Sequence, residues 1–311
     1  MMKIIFLIVL VVLSACTISA QSKPEIFQPG VISKGDYESH GSFTPTGDTL
    51  YFIKCSYDLQ ISAICVSYRK KGRWTNPVVA SFSGKYMDAD PFVTKDGREL
   101  YFMSNRPLKE GDPVKDDTDL WKVVFEGNHW SKPINLGPII NSKADEYYPT
   151  LADNGDLYFG SPRAGGSGMS DIWCSKLVNG KYQTPVNLGV AINTAGNEYE
   201  AYIAPDESFI IYNSSPATLT GLDFYISFNR NGVWTKAKKL PSPFNTNAIE
   251  WSPKVTHDGR TFYFSSTRNT NATVPQFPNN ISQLNRRLQN AGNSLADIYT
   301  VDFNSLLQSI K

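Results

Sequence analysis

The sequence predicts an all-β fold, a five-bladed β-propeller of four-stranded antiparallel blades. Three observations predict it. One pattern recurs five times at near-constant spacing, each copy holds short strand signals, and the last copy lacks a strand that the N-terminal segment supplies. The copies read "ESHGSFTPTGDTLYF", "DADPFVTKDGRELYFMSNR", "EYYPTLADNGDLYFGSPR", "EYEAYIAPDESFIIY" and "EWSPKVTHDGRTFYFSSTR". In each, an acid (Glu38, Asp88, Glu146, Glu198, Glu250) stands nine residues before a turn residue (Gly47, Gly97, Gly155, Glu207, Gly259). The acids follow one another at 50, 58, 52 and 52 residues, a register that composition alone does not produce.

Four strands per copy follow from this pattern. Strand A runs from the acid to the turn, and strand B lies on Leu-Tyr-Phe or its equivalent. Strand C starts at "DLW" (Asp119), "DIW" (Asp171), "DFY" (Asp223) and "DIY" (Asp297), with only "SAIC" in the first copy. Strand D follows a Gly-x-x-Trp-like turn such as "GRWTNP" or "GNHWSKP". The last copy stops after strand C, and "PEIFQPGVIS" at residues 24–33 resembles the missing strand D. Joining both chain ends in one blade removes two sheet edges. One domain then covers 24–304, with 305–311 left as a C-terminal tail.

Composition agrees. Aromatics at 13%, with 19 Pro and 22 Gly, suit short strands and tight turns. A net charge of +1 argues against a nucleic-acid partner. Residues 1–20 are expected to be a signal peptide, because the apolar stretch after Lys3 is too short to span a bilayer. "LSAC" resembles a bacterial lipobox ending at Cys16, which would be lipidated; the rival is cleavage after Ala20. Either reading exports the chain, as an outer-membrane lipoprotein or a periplasmic protein that meets membrane only through the lipid. Cys55 and Cys65 face a choice between a cross-strand disulfide and packing as free thiols.

The "DG-x-x-LYF-x-S-x-R … DIW" pattern resembles the TolB-type propeller repeat of bacterial envelope proteins, over nearly all of the mature chain. The resemblance implies a propeller in the cell envelope. It implies no single activity, since that repeat occurs in binding proteins, peptidase domains and polysaccharide lyases. The extra N-terminal domain and sixth blade of TolB itself are not visible, so its partners do not carry over.

Blade topology puts the five acids on one face, where they could ring the channel mouth. Glu38, Asp88, Glu146, Glu198 and Glu250 are therefore candidate ligand-binding residues and a candidate Ca²⁺ site. Tyr147, Tyr199 and Trp251, each beside an acid, could form a sugar platform. The alternative is architectural, with each acid accepting backbone N–H bonds from the neighbouring blade. Arg106, Arg163 and Arg268 of the Ser-x-Arg motifs are expected to pair with Asp119, Asp171 and Asp297, or else to grip an acidic sugar. Residues 269–296 insert into blade five, where Asn280 is expected to cap a helix carrying Ile281, Leu284 and Leu288 on one side.

These features predict a binding propeller that holds a glycan or an envelope protein and requires no cofactor, with Ca²⁺ as a candidate ion. The alternative is a carbohydrate-active enzyme, a glycoside hydrolase or polysaccharide lyase, with Glu146, Glu198 and Glu250 as first catalytic candidates. Equivalent repeat positions have similar surroundings, which opposes the split pKa values that acid–base catalysis needs. No GxSxG or HExxH motif is present. Of the three His, only His40 and His257 sit in repeat segments that could reach a face, and His257 and His129 both fall on the turn face, opposite the acids. A structural scaffold is a third reading.

Overall fold

A computed structural model describes residues 22–58, 60–215, 221–270 and 279–310. The signal peptide, the lipobox Cys16 and the alternative cleavage site at Ala20 lie outside the described residues. Each repeat forms one antiparallel sheet with its strands in order A-B-C-D. Blade one uses Tyr37–Phe43, Thr49–Cys55, Ser62–Lys70 and Val78–Val79. Blade two uses Asp88–Val93, Glu99–Ser104, Asp119–Val124 and Ile134–Asn135. Tyr147–Leu151, Leu157–Ser161, Asp171–Ser175 and Val186–Asn187 make blade three. Asn197–Ile203, Phe209–Ser215, Asp223–Arg230 and Lys238–Lys239 make blade four.

Blade five takes Glu250–Val255, Thr261–Ser266 and Asp297–Asp302, and its outer strand is Glu25–Ile26 from the N-terminal segment. Glu25 pairs with Thr300 and Ile26 with Tyr299, so the ring closes as the repeat pattern requires. Every strand A contacts the strand A of the next blade, and the fifth returns to the first. These five strands line the central channel.

Tight A–B reversals explain the conserved-in-register turn residue. Gly47, Gly97, Gly155 and Gly259 sit at φ +66°, +70°, +87° and +70°, where a side chain is disfavoured. In strand B, Leu50, Phe52, Leu100, Phe102, Leu157 and Phe159 are fully buried, because both faces of a blade are covered by neighbouring blades. That is why these strands read as continuous apolar runs rather than as alternation. Packing runs between blades: Ile64 and Val66 of blade one meet Val93, Leu100 and Phe102 of blade two.

One sequence expectation needs correction and one open choice is decided. Residues at the C-terminus form a helix, Phe303–Ser309, and are no simple tail. Asp302 caps it, and Phe303 and Leu306 bury in the cluster shared by blades four and five. Cys55, Cys65 and Cys174 are all free thiols. The B–C register places Cys55 opposite Ser62 and Cys65 opposite Phe52, so the two sulfurs never face each other.

The blade-five insert does contain a helix, Ile281–Gln289, with Asn280 Oδ1 accepting from Gln283 N. It docks beside the entry to blade one, where Gln289 backbone packs on Gly35 and Asn293 donates to the Gly35 carbonyl. Among the described residues, no helix is long and apolar enough to cross a membrane.

Candidate functional site

The repeated acids are the frame of the blades. Glu38, Asp88, Glu146, Glu198 and Glu250 are all fully buried and do not reach the channel mouth. Each except Asp88 accepts from the backbone N–H four residues upstream, in the linker from the preceding blade: Lys34, Ser142, Thr194 and Thr246. Ser161, Ser214 and Ser266 of strand B add hydroxyl donors to Glu146, Glu198 and Glu250.

The Ser-x-Arg arginines close these same acids, which corrects the expected pairing. Arg106 binds Asp88 at 2.5 Å, Arg163 binds Glu146 at 2.8 Å and Arg268 binds Glu250 at 3.1 Å. Each guanidinium also lies over the Phe of its own Leu-Tyr-Phe or Phe-Tyr-Phe strand, 4.8 to 5.0 Å from the ring of Phe159, Phe102 or Phe264. Asp119, Asp171 and Asp297 are used otherwise: Asp119 pairs with Lys115, Asp171 accepts from Ser167 N and Asp297 from Gly292 N. The five acids do not converge, so no Ca²⁺ site forms on them. Among the described residues, no group of three or more His, Cys, Asp or Glu side chains is arranged to hold a metal ion.

The channel is furnished by a different register. Each strand A carries one extra residue against strand B just after the acid, between Ser39 and Ser42, Ala89 and Phe92, Tyr147 and Thr150, Glu198 and Ala201, and Trp251 and Lys254. This bulge rotates the residue two positions after the acid towards the axis. Those residues are His40, Asp90, Tyr148, Glu200 and Ser252. Four of them hold left-handed backbone, at φ +54° (His40), +57° (Asp90), +49° (Tyr148) and +51° (Ser252). Glycine would remove a cost of about 1–2 kcal/mol at each. The sequence keeps His, Asp, Tyr and Ser there instead, which points to work done by the side chains.

His40 joins two of the others. Its Nε2 lies 3.2 Å from Asp90 Oδ1 and 3.0 Å from Glu200 Oε1. The outer carboxylate oxygens are held by backbone, with Tyr148 N donating to Asp90 at 2.9 Å and Ser252 N to Glu200 at 2.6 Å. Ser39 Oγ sits 2.7 Å from His40 Nδ1. Burial alone would pull the imidazole down, but Glu200 and Asp90 outweigh it and hold His40 above its ordinary value. Burial pushes the Asp90 carboxyl up despite the neighbouring imidazole.

Above this floor opens a cup of about 660 Å³. Tyr37 and Trp251 form one aromatic pair, with ring centres 5.9 Å apart, and Tyr147 and Tyr199 form another at 6.4 Å. The structure therefore brings together the three aromatics singled out in the sequence and adds Tyr37. Asn213 completes the wall; it is 1% exposed, and neither its amide oxygen nor its nitrogen has a hydrogen-bond partner among the described residues. A buried amide of this kind normally finds a partner. No residue of the helix Ile281–Gln289 lines the cup.

Lys254, two residues beyond Ser252, is also buried in the channel. Its Nζ donates to the Pro91 carbonyl at 2.6 Å and lies 4.7 Å from the centre of the Tyr148 ring. Burial draws it down to about 7, although Asp90 and Glu200 favour its charge. It lines a second cavity of about 500 Å³ at the turn-face mouth, together with His257.

One glycine is required by the cup itself. Gly160 of strand B lies under the Tyr147 ring, and an added Cβ would stand 2.8 Å from its Cζ. Gly160→Ala is expected to cost about 1–3 kcal/mol in a urea titration by forcing the ring out of place. An unchanged midpoint would mean that Tyr147 is free to swing.

No protein-family model and no curated relative matches the chain. Among solved structures it is similar to TolB from Acinetobacter baumannii, at 12% identity over 86% of this chain and 54% of that one, with a TM-score of 0.47. The putative TolB from Agrobacterium tumefaciens is 13% identical over 86% and 91%, with a TM-score of 0.49. The α-L-arabinofuranosidase from Lactobacillus brevis is 12% identical over 88% and 92%, with a TM-score of 0.48. This chain spans about half the length of the Acinetobacter protein. Likeness at this level concerns propeller architecture and assigns no activity.

Proposed function

We propose that this chain is an exported binding propeller of the bacterial envelope, anchored by lipid at Cys16, that holds a saccharide in the cup above His40, Asp90 and Glu200. The observation that carries this reading is the cup: two aromatic pairs facing one polar floor, with an amide at Asn213 in the wall that has no partner among the described residues. Rings supply apolar stacking for a sugar face, and the amide offers one donor pair and one acceptor to its hydroxyls. Export and lipidation rest on the N-terminal sequence.

Retention on a panel of neutral, basic and acidic polysaccharides tests the reading. Tyr199, half-buried at the rim, is the variant of choice because truncating it leaves the floor intact. Tyr199→Ala is expected to weaken binding at least tenfold, about 1.4 kcal/mol. Failure of every polymer to retain the unmodified protein would end the proposal and turn the search to protein partners.

A second reading has its own observation. Asp90 and Glu200 approach one imidazole nitrogen within 3.2 Å and differ in exposure, Asp90 being the more enclosed. Two carboxyls in unequal surroundings are what acid–base cleavage of a glycosidic bond uses. This moves the enzyme alternative away from Glu146, Glu198 and Glu250, whose carboxylates are sealed in the blades. New oligosaccharides released by the unmodified protein and lost in Glu200→Gln would favour it.

A further inference from the structure

We infer that the saccharide unit taken by the cup carries a free ammonium group, seated against Glu200 and the surrounding rings. This rests on the saccharide reading above and narrows it to a chemical class.

The charges at the cup all favour a cation. Its lining holds three carboxylates, Asp90, Asp145 and Glu200, against one imidazole, and no Lys or Arg among the described residues. Even with His40 charged and matched to Asp90, Glu200 and Asp145 leave the cup negative. Lys254, the nearest buried amine, opens on the opposite mouth and is drawn towards neutrality. An acidic sugar would meet a lining with more carboxylates than cations here.

The rings add to this field. Glu200 lines the cup together with Tyr37, Tyr147 and Tyr199, so one carboxylate shares the cavity with three of the four aromatic walls. Ring faces attract a cation within roughly 6 Å, and a carboxylate among them adds Coulomb attraction in a site partly shielded from water. A neutral sugar could stack on the same rings, but within ion-pair distance Glu200 would then keep one partner among the described residues, His40, which it shares with Asp90. An ammonium gives it a second. Asn213 remains for the hydroxyls of the same sugar unit.

Calorimetric titration of the lipid-free mature protein with a tetramer of β-1,4-linked glucosamine and with its N-acetylated counterpart, both at pH 6, separates the possibilities. The free-amine tetramer is expected to bind at least tenfold more tightly. Glu200→Gln should abolish that preference, and Asp145→Asn, at the exposed rim, should reduce it. Equal affinities, or a preference for the N-acetylated tetramer, would overturn the inference and leave the saccharide reading standing. A tenfold preference that survives Glu200→Gln and Asp145→Asn would also overturn it, because the charge would not be the cause. If neither tetramer binds but another saccharide does, the inference alone falls; if no saccharide binds, both fall. Should Glu200→Gln fail to fold, the preference of the unmodified protein and its response to Asp145→Asn decide.

Discussion

Arg163→Ala is expected to destabilise the propeller by about 3–5 kcal/mol, read as a fall in the urea midpoint, because it leaves the buried Glu146 carboxylate without a cation. Glu146 would retain its bonds from Ser142 and Ser161, but its charge would face an interior that cannot solvate it. The guanidinium also donates to the Ile140 carbonyl and packs over Phe159 and Trp173, so the variant loses packing as well. Glu200→Gln should behave in the opposite way, shifting the midpoint by less than about 1 kcal/mol while changing ligand preference. A midpoint for Arg163→Ala within 1 kcal/mol of the parent would show that hydroxyl and amide donors suffice. Glu198 provides the internal comparison, since Thr194 and Ser214 hold it without an arginine, and burial raises its pKa.

Lys254 carries the second large effect, and its sign is set by proton linkage. A lysine titrates near 10.4 in the unfolded chain and near 7 here, so between those values the unfolded state binds more protons. Stability therefore rises with pH across that window and is flat below it, as far as this group decides. Lys254→Met removes the term. Between pH 7 and 9 the unmodified protein should gain about 2 kcal/mol on the variant, measured as the difference between their urea midpoints at each pH. Asp90, Glu200, His40 and Tyr148 face the amine in both proteins, so the difference isolates the lysine. Parallel pH profiles would mean that Lys254 keeps its charge in the fold.

The architecture was legible in the sequence because blade geometry constrains the same positions every time. Turn glycines, the Leu-Tyr-Phe run and the acid recur since each blade meets its neighbours identically. The cup was less legible for the same reason. Glu146 drew notice by recurring, yet recurrence reflects its place in the frame. Asp90 and Glu200 looked like isolated acids inside strands, although each replaces a His, Tyr or Ser at the same register. Comparing that column across the five copies, and noting Lys254 where others carry Ser42, Phe92, Thr150 and Tyr202, would have exposed both. Tyr147, Tyr199 and Trp251 stand out in the sequence because they sit beside the acid. The arginine partners were misjudged because pairing with strand A requires knowing how the guanidinium folds back over its own strand. The free Cys55 and Cys65 depend on a register that spacing alone leaves open.

The bulge after each acid separates two vocabularies in one strand. Positions that hold blades together are sealed between neighbouring blades, whereas the residues swung towards the axis face one another across the channel, as His40 faces Asp90 and Glu200. Chemistry at the axis can thus change as a set while the frame of the ring stays as it is. Divergence in such a chain should accumulate at 40, 90, 148, 200 and 252 while 38, 88, 146, 198 and 250 stand still. The same five addresses offer a designer a radial socket whose occupants can be exchanged on an unchanged chassis.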